Sequence, residues 1–398
     1  MALAGVAMTS FDVVVAGLGA MGSAAAFELA RRGASVLGLD RFAPPHASGS
    51  SHGRARIIRE AYFEDPLYVP LVRRAYERWA ELERLAGRTL LVPTGGLMLG
   101  PPDGVVVAGA LRSAREHGLP HELLDAREVH HRVPGLRVTS DMVGVWEPRA
   151  GFLVPEAVIA AHLALAADHG AELRVEEPVR TWDAAGDGVV VTTARGTYRA
   201  RRLVLAAGAW MSSLLGAASP PLVVERMVQH WFRPARDTGL YAPSRFPIFL
   251  CEYAPGRTWY GFPDVGDGVK VALHHQGEPA DADTLRRTVA PAEIAYVHAL
   301  LRTFLPDADG AHAESAVCMY TNTPDEHFVV DRHPAWPQVI VASACSGHGF
   351  KFSSAIGEIL ADMALGERPT FDLAPFRISR FAHGVVAHEG TRHRRSDA

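Results

Sequence analysis

Residues 11 to 41, FDVVVAGLGAMGSAAAFELARRGASVLGLDR, commit the chain to a strand, a helix and a second strand. Val13 to Val15 is an unbroken β-branched run, which suits a parallel strand buried on both faces. Gly17, Gly19 and Gly22 follow in the order G-x-G-x-x-G, and an Ala- and Leu-rich helix runs from about Met21 to Arg32, where Gly33 stops it. Each glycine has a physical task there: a tight turn, close approach of a pyrophosphate, and close packing of helix on strand. The helix N-terminus adds free N–H groups and positive dipole for the phosphates. Asp40 ends the second strand, placed to accept from ribose hydroxyls. The pattern therefore predicts a dinucleotide site, with NAD and FAD both open at this step.

The rest of the chain divides by texture. LVRRAYERWAELERLAG puts Val72, Tyr76, Trp79 and Leu82 on one stripe and ends in Gly87, an amphipathic helix. VPEAVIAAHLALAADHG reads as another helix, with Pro155 in its first turn and Gly170 at its end. A second apolar strand, Leu203 to Ala206, leads into Gly208. From about Ser219 to Ala316 aromatics and prolines interrupt short β-rich segments, so a sheet-rich second domain is expected. QVIVASACSGHGFKFSSAIGEILADMALG then returns to strand, Gly-rich turn and helix. The nucleotide-type domain is thus predicted to be discontinuous, with the other inserted into it.

At 398 residues the chain is long enough for two or three domains. A net charge of −4 gives no basic field for nucleic acid or an anionic membrane. No apolar run is long enough to span a bilayer. Three scattered cysteines neither build a disulfide framework nor show zinc-ligand spacing, which fits a reducing cytoplasm and no metal. MALAGVAMTS at the start lacks a basic leader region and reads as a short extension, and HEGTRHRRSDA at the end as a frayed tail.

Four stretches carry charge or sulfur in apolar company. SSHGRARIIRE holds His52, Arg56 and Arg59. It is either a solvated basic loop or the seat of an anion such as a flavin, a phosphate or a substrate carboxylate. YGFPDVGDGVKVALHH holds Tyr260, Lys270 and His274. Lys270 lies between Val269 and Val271 and points either to water or inward, where burial would lower its pKa. CSGHGFKFSS sets Gly347, His348 and Gly349 before Lys351, an anion cradle or an ordinary helix start. ESAVCMYTNTPDEHF places Cys318 in a strand, as core filler or as a reactive thiol.

In this order, PPHASGSSHGRARIIR, YGFP with its lysine, AVCMYTNTPDEHF and SGHGFKFSS resemble the sarcosine oxidase and N-methyltryptophan oxidase family of flavoprotein amine oxidases, from about Phe11 to Arg377. The resemblance implies an α/β plus α+β fold: a discontinuous Rossmann-like FAD-binding domain (1–89, 150–218, 319–398) with an inserted, mostly antiparallel β-sheet substrate domain (90–149, 219–318). It implies FAD, bonded through its 8α position to the Cys318 sulfur. It implies Lys270 as the cation that assists O2 reduction, and Arg59 with Lys351 as the grip on a substrate carboxylate. His52 and Arg56 would lie beside the flavin ring, and Tyr260 and His274 around the amine. The sequence departs from the family at Leu250, where sarcosine-specific members have methionine, at Ala55 before Arg56, and at Cys345. These changes leave the chemistry and open the substrate to N-methyl or cyclic secondary-amine amino acids. The expected enzyme is a monomer giving an imine and H2O2. A D-amino acid oxidase, a dehydrogenase with another acceptor, and a non-catalytic dinucleotide module are the alternatives.

Overall fold

In this computed structural model residues 10–382 are described, so the readings made for the two chain ends lie outside the described residues. The strand Ser10–Ala16 has a parallel neighbour on each side, Val36–Leu39 and Thr197–Leu205. Its side chains serve two cores. Val13 and Val15 pack with the helices, whereas Val14 and Ala16 pack with Leu37, Leu39 and Leu203 on the opposite face. That double burial is why the run is apolar without alternation. Glu172–Arg174 and Val339–Ser343 extend the parallel part at its two edges. The hairpin Thr181–Ala185 and Gly188–Thr192 and the strand Val329–Arg332 join antiparallel, completing eight strands.

The helix Ala20–Arg31 packs against both Pro155–Asp168 and Ser353–Leu365. Gly357 makes one of these contacts possible: a Cβ there would lie 2.5 Å from the Ala24 Cβ and 2.7 Å from its carbonyl carbon. Backbone cannot yield as a side chain can. Gly357→Ala is therefore expected to cost about 1–3 kcal/mol by overpacking, read as a lower urea midpoint at unchanged slope.

A fourth helix, Val69–Ala86, buries Val72, Trp79 and Leu82 as its stripe predicts, leaves Tyr76 half-buried, and ends at Gly87 with φ +63°. Its Trp79 indole N–H donates to the Lys351 carbonyl at 2.9 Å. The helix thereby pins a turn on the wall of the cavity described below.

The expected sheet-rich region forms a nine-stranded, mostly antiparallel sheet. Its one parallel pairing joins Ile248–Ala254 to Gly96–Gly100. The sequence reading missed the helices here. Pro291–Phe304 starts with proline and Glu293, a good helix opening, and packs Val297, Leu301 and Phe304 with Trp259 and Val269. Val105–Glu116 and Ala126–Arg132 are the others. Three expected boundaries are also crossed by hydrogen-bonded structure. The strand His312–Asn322 runs straight through position 318, paired along Val223–Phe232. Leu91–Pro93 joins Arg56–Ile58 and Gly151–Leu153 in a three-stranded sheet drawn from both sides of the divisions at 89 and 149. No helix among the described residues is long and apolar enough to cross a membrane.

Candidate active site

One long cavity runs from the end of the first βαβ unit to the inner end of the nine-stranded sheet. At its first end Gly17 takes φ +92°, and a Cβ on it would lie 2.5 Å from the Ala206 oxygen. A Cβ on Gly22 would lie 1.7 Å from the Gly17 oxygen, so Gly22 serves helix packing behind the wall. A Cβ on Gly19 would meet only the Ser51 hydroxyl at 3.9 Å, which leaves its backbone open to a bound group. Asp40 is buried, and its two oxygens accept from Leu18 N–H at 2.6 Å and Phe42 N–H at 2.7 Å. A carboxylate keeps further lone pairs for ribose hydroxyls after two such bonds. The Phe42 and Trp210 ring centres lie 5.5 Å apart, tilted by 58°, with the Arg41 guanidinium over both rings, an aromatic patch on the cavity wall with Asp40 and Gly208. Ser343 lines the same cavity with a buried hydroxyl that has no partner among the described residues. Open glycine backbone, a carboxylate with spare capacity, aromatic wall and an unpartnered hydroxyl all fit a flavin dinucleotide.

At the middle of the cavity the segment 50–56 is clamped from two sides. Gly53 has φ +100° and Arg54 φ +66°, which turns successive N–H groups one way and carbonyls the other. The Glu156 carboxylate accepts from the N–H groups of Gly53 and Arg54 at 2.6 and 3.1 Å. The Lys270 ammonium donates to the carbonyls of Gly53 and Ala55, both at 2.7 Å. Lys270 does point inward; it is 2% exposed and lies 4.6 Å from the centre of the Phe262 ring. Burial and the Arg56 charge push its pKa well below the usual value. Arg56 reaches the cavity itself, donating to the Ser50 carbonyl at 2.9 Å and lying 3.5 Å from the Cys318 sulfur.

Cys318 stands opposite Met227 in the long strand and on the cavity wall. Its sulfur lies within reach of both the Arg56 guanidinium and the Ser50 carbonyl. The other cysteines differ. Burial pushes Cys251, inside the second core, up to about 12. Cys345 lines the cavity, but burial raises its pKa and its sulfur accepts from the Thr321 N–H at 3.3 Å.

Beyond Cys318 the walls carry paired charges. Arg59 is 2% exposed and its Nη2 contacts the Glu64 carboxylate at 2.8 and 2.6 Å. Burial opposes both charges, yet each keeps the other ionised: Arg59 is shifted up and Glu64 down. Lys351 donates to the His348 carbonyl at 2.6 Å and to the Tyr62 hydroxyl at 3.4 Å. Burial and the Arg59 charge bring it down to about 7. Burial also holds His348 at about 3 and His274 well below 6.5, so both rings are neutral at pH 7. The His348 Nδ1 takes the Tyr62 hydroxyl at 2.5 Å.

Of the residues singled out in the sequence, Gly17, Gly19, Asp40 and Gly208 line the first end of this cavity. Arg56, Arg59, Cys318 and Lys351 line the rest together with Leu250, Tyr260 and His274, and with Gly347, His348 and Gly349. Gly22, Lys270 and His52 do not line it. Lys270 sits behind the wall because its ammonium is turned into the 53–55 carbonyls. His52 is buried, held near 3 by burial and the Arg56 charge, and its Nε2 has no partner among the described residues. The sequence reading missed Tyr320, Glu64, Tyr62 and the Phe42–Trp210 pair. Tyr320 was within reach of strand periodicity, two residues beyond Cys318 and so on the same face. Its hydroxyl lies 3.3 Å from the His274 Nδ1.

A parallel sheet with a glycine-rich dinucleotide turn, joined to an antiparallel sheet that walls off the far end of the same cavity, defines a flavin-dependent oxidoreductase. The chain belongs to the FAD dependent oxidoreductase (DAO) family, which matches residues 12–363. It is 48% identical over 360 residues to a monomeric sarcosine oxidase of Streptomyces avermitilis, covering 89% of this chain and 94% of that protein. It is 38% identical to an N-methyl-L-tryptophan oxidase of Salmonella heidelberg, covering 94% of this chain and 99% of that one. Among solved structures it superposes on the open form of NikD, an amino acid oxidase of nikkomycin biosynthesis, with a TM-score of 0.83 at 27% identity over 93% of this chain and 98% of that one.

Proposed function

We propose that this flavoenzyme oxidises amino acids whose amine is secondary, N-methylated such as sarcosine or cyclic such as proline, with O2 as the electron acceptor. The observation that carries the reading is the meeting of Cys318, Arg56, Arg59 and Lys351 on one cavity wall. Relatives with names such as sarcosine oxidase and N-methyl-L-tryptophan oxidase support the substrate class.

FAD would be held by Gly17, Gly19 and Asp40 at its dinucleotide end and by Arg56 and Cys318 at its ring; when bound it takes a hydride equivalent from the carbon beside the amine and passes the electrons to O2, leaving an imine and H2O2. Arg59 and Lys351 grip the substrate carboxylate, one as a planar fork and the other as a point charge. Neutral His274 and the hydroxyls of Tyr260 and Tyr320 surround the amine without adding positive charge, which favours its free-base form. Lys270, behind the ring site, supplies a fixed cation for the charge that develops on oxygen. Water then hydrolyses the released imine, which for an N-methyl substrate gives formaldehyde and the demethylated amino acid.

We assign the eight-stranded sheet to the cofactor and the nine-stranded sheet to the substrate. Attachment of the flavin 8α carbon to the Cys318 sulfur is part of the reading, and so are a monomeric state and a cytoplasmic location. Acid precipitation tests the attachment. The wild-type pellet is expected to stay yellow and the Cys318→Ser supernatant to carry free flavin; free flavin from wild type would remove the bond. Oxygen uptake and peroxide release across sarcosine, proline, pipecolate and N-methyltryptophan test the activity. Reduction of the flavin without peroxide under air would mark a dehydrogenase instead.

A further inference from the structure

Glu147 is 1% exposed, does not line the cavity and has no part in the chemistry above. It ends the strand Val143–Glu147 of the nine-stranded sheet. Its two carboxylate oxygens are used separately: one accepts the Glu60 N–H at 2.6 Å and the other the Ala61 N–H at 2.8 Å. Those are the two residues directly after Arg59. The Ala61 carbonyl in turn accepts from the Arg59 Nη1 at 3.0 Å. Burying a carboxylate beside the acidic side chain of Glu60 is unfavourable, and burial with that charge brings Glu147 up to about 7. A pair of apolar residues would fill the space at less cost. What the carboxylate supplies, and an apolar side chain does not, is two acceptors that fix the direction of two consecutive peptide groups.

We propose that Glu147 is a positioning residue for substrate carboxylate recognition: by seizing the N–H groups of Glu60 and Ala61 it fixes the turn from which Arg59 reaches the cavity. The inference rests on the reading of Arg59 as a carboxylate ligand. A buried arginine needs this help because its fork is useful only if both N–H vectors meet the anion. The Arg59 Nε has no partner among the described residues, and Glu64 holds only Nη2, so backbone placement does the remaining work.

The test uses holoenzyme and acetate, a carboxylate with no amine to oxidise, titrated into the oxidised protein and followed in the flavin absorbance. In Glu147→Gln the amide nitrogen must face one of the two backbone N–H groups, donor against donor. Acetate dissociation constants, and the KM for sarcosine, are expected to rise roughly ten- to a hundredfold while the limiting rate of flavin reduction and the FAD content stay near wild type. Glu147→Asp, which keeps both acceptors on a shorter stem, is expected to fall between the two, and it stands in if the glutamine variant does not fold. Unchanged acetate affinity in both variants, or a loss of reduction rate in step with affinity, overturns the proposal. Arg59→Gln is run alongside. If it binds acetate as wild type does, the carboxylate role of Arg59 itself is wrong; if it loses acetate while the Glu147 variants keep it, only the positioning role is.

Discussion

Lys270→Met is expected to slow reoxidation of the reduced enzyme by O2 about 10²–10³-fold while leaving anaerobic reduction by substrate within a few-fold of wild type. Methionine keeps the length and most of the packing against Phe262, so the change is chiefly one of charge. The ammonium is two carbonyl bonds away from being free: it donates to Gly53 and Ala55 at 2.7 Å each. Removing it leaves two buried acceptors unpaired, at about 1–3 kcal/mol each, so a fall in Tm is expected as well. The kinetic split separates the two effects. Loss of packing would damage both half-reactions, whereas loss of a cation matters only where negative charge builds up on oxygen. Stopped-flow traces of reduction and of oxygen mixing decide it, and equal slowing of both would remove the role. Lys270→Arg, which restores a charge in different geometry, should recover part of the oxidative rate and little of the stability.

Arg59→Gln should produce a comparable loss on the other half of the cycle. Arg59 and Glu64 form a buried pair on the cavity wall, 2.6 Å apart at their closest. Truncating one partner of such a pair costs roughly 2–5 kcal/mol, so kcat/KM for a carboxylate substrate is expected to drop by about 10²–10³. Part of that loss comes from Glu64, which is left as an uncompensated carboxylate facing the incoming one. Adding Glu64→Gln should therefore return some of the affinity. Lys351 gives the same site a pH dependence with a definite sign. Its pKa is brought down to about 7. It is a cation below that value and neutral above it, so acetate should bind more tightly at pH 6 than at pH 9, with proton uptake on binding at the higher pH. A flat profile between those limits would show that Lys351 keeps its proton or takes no part.

The two ends of the cavity were unequally legible in the sequence. The dinucleotide end was readable because its demands are local: glycine at +92° and an acidic residue at a strand end fall within one short stretch. Arg59 and Lys351 could be singled out as cations among apolar neighbours, but their surroundings could not. Glu64 pairs with Arg59 across a turn, and Glu147 reaches the same turn from a strand in the other sheet. Lys270 shows the limit of alternation. Val269, Lys270 and Val271 are all buried, so the strand has no wet face for period two to reveal. The three overlooked helices of the second region failed for a related reason. Their apolar stripes are short, and the prolines and aromatics around them drew attention to strands.

The strand His312–Asn322 has a mechanical consequence. It is laddered along Val223–Phe232 in the nine-stranded sheet, and near its far end Thr321 bonds the Ser346 N–H and the Cys345 sulfur, just past the strand Val339–Ser343 of the other sheet. One rod is thus riveted into both halves, and it carries Cys318 between the rivets. A scissor motion of the halves about the cavity would have to shear these bonds together. The enzyme should accordingly admit its amine through swinging side chains, with Arg59 letting go of Glu64, while the frame around them stays stiff.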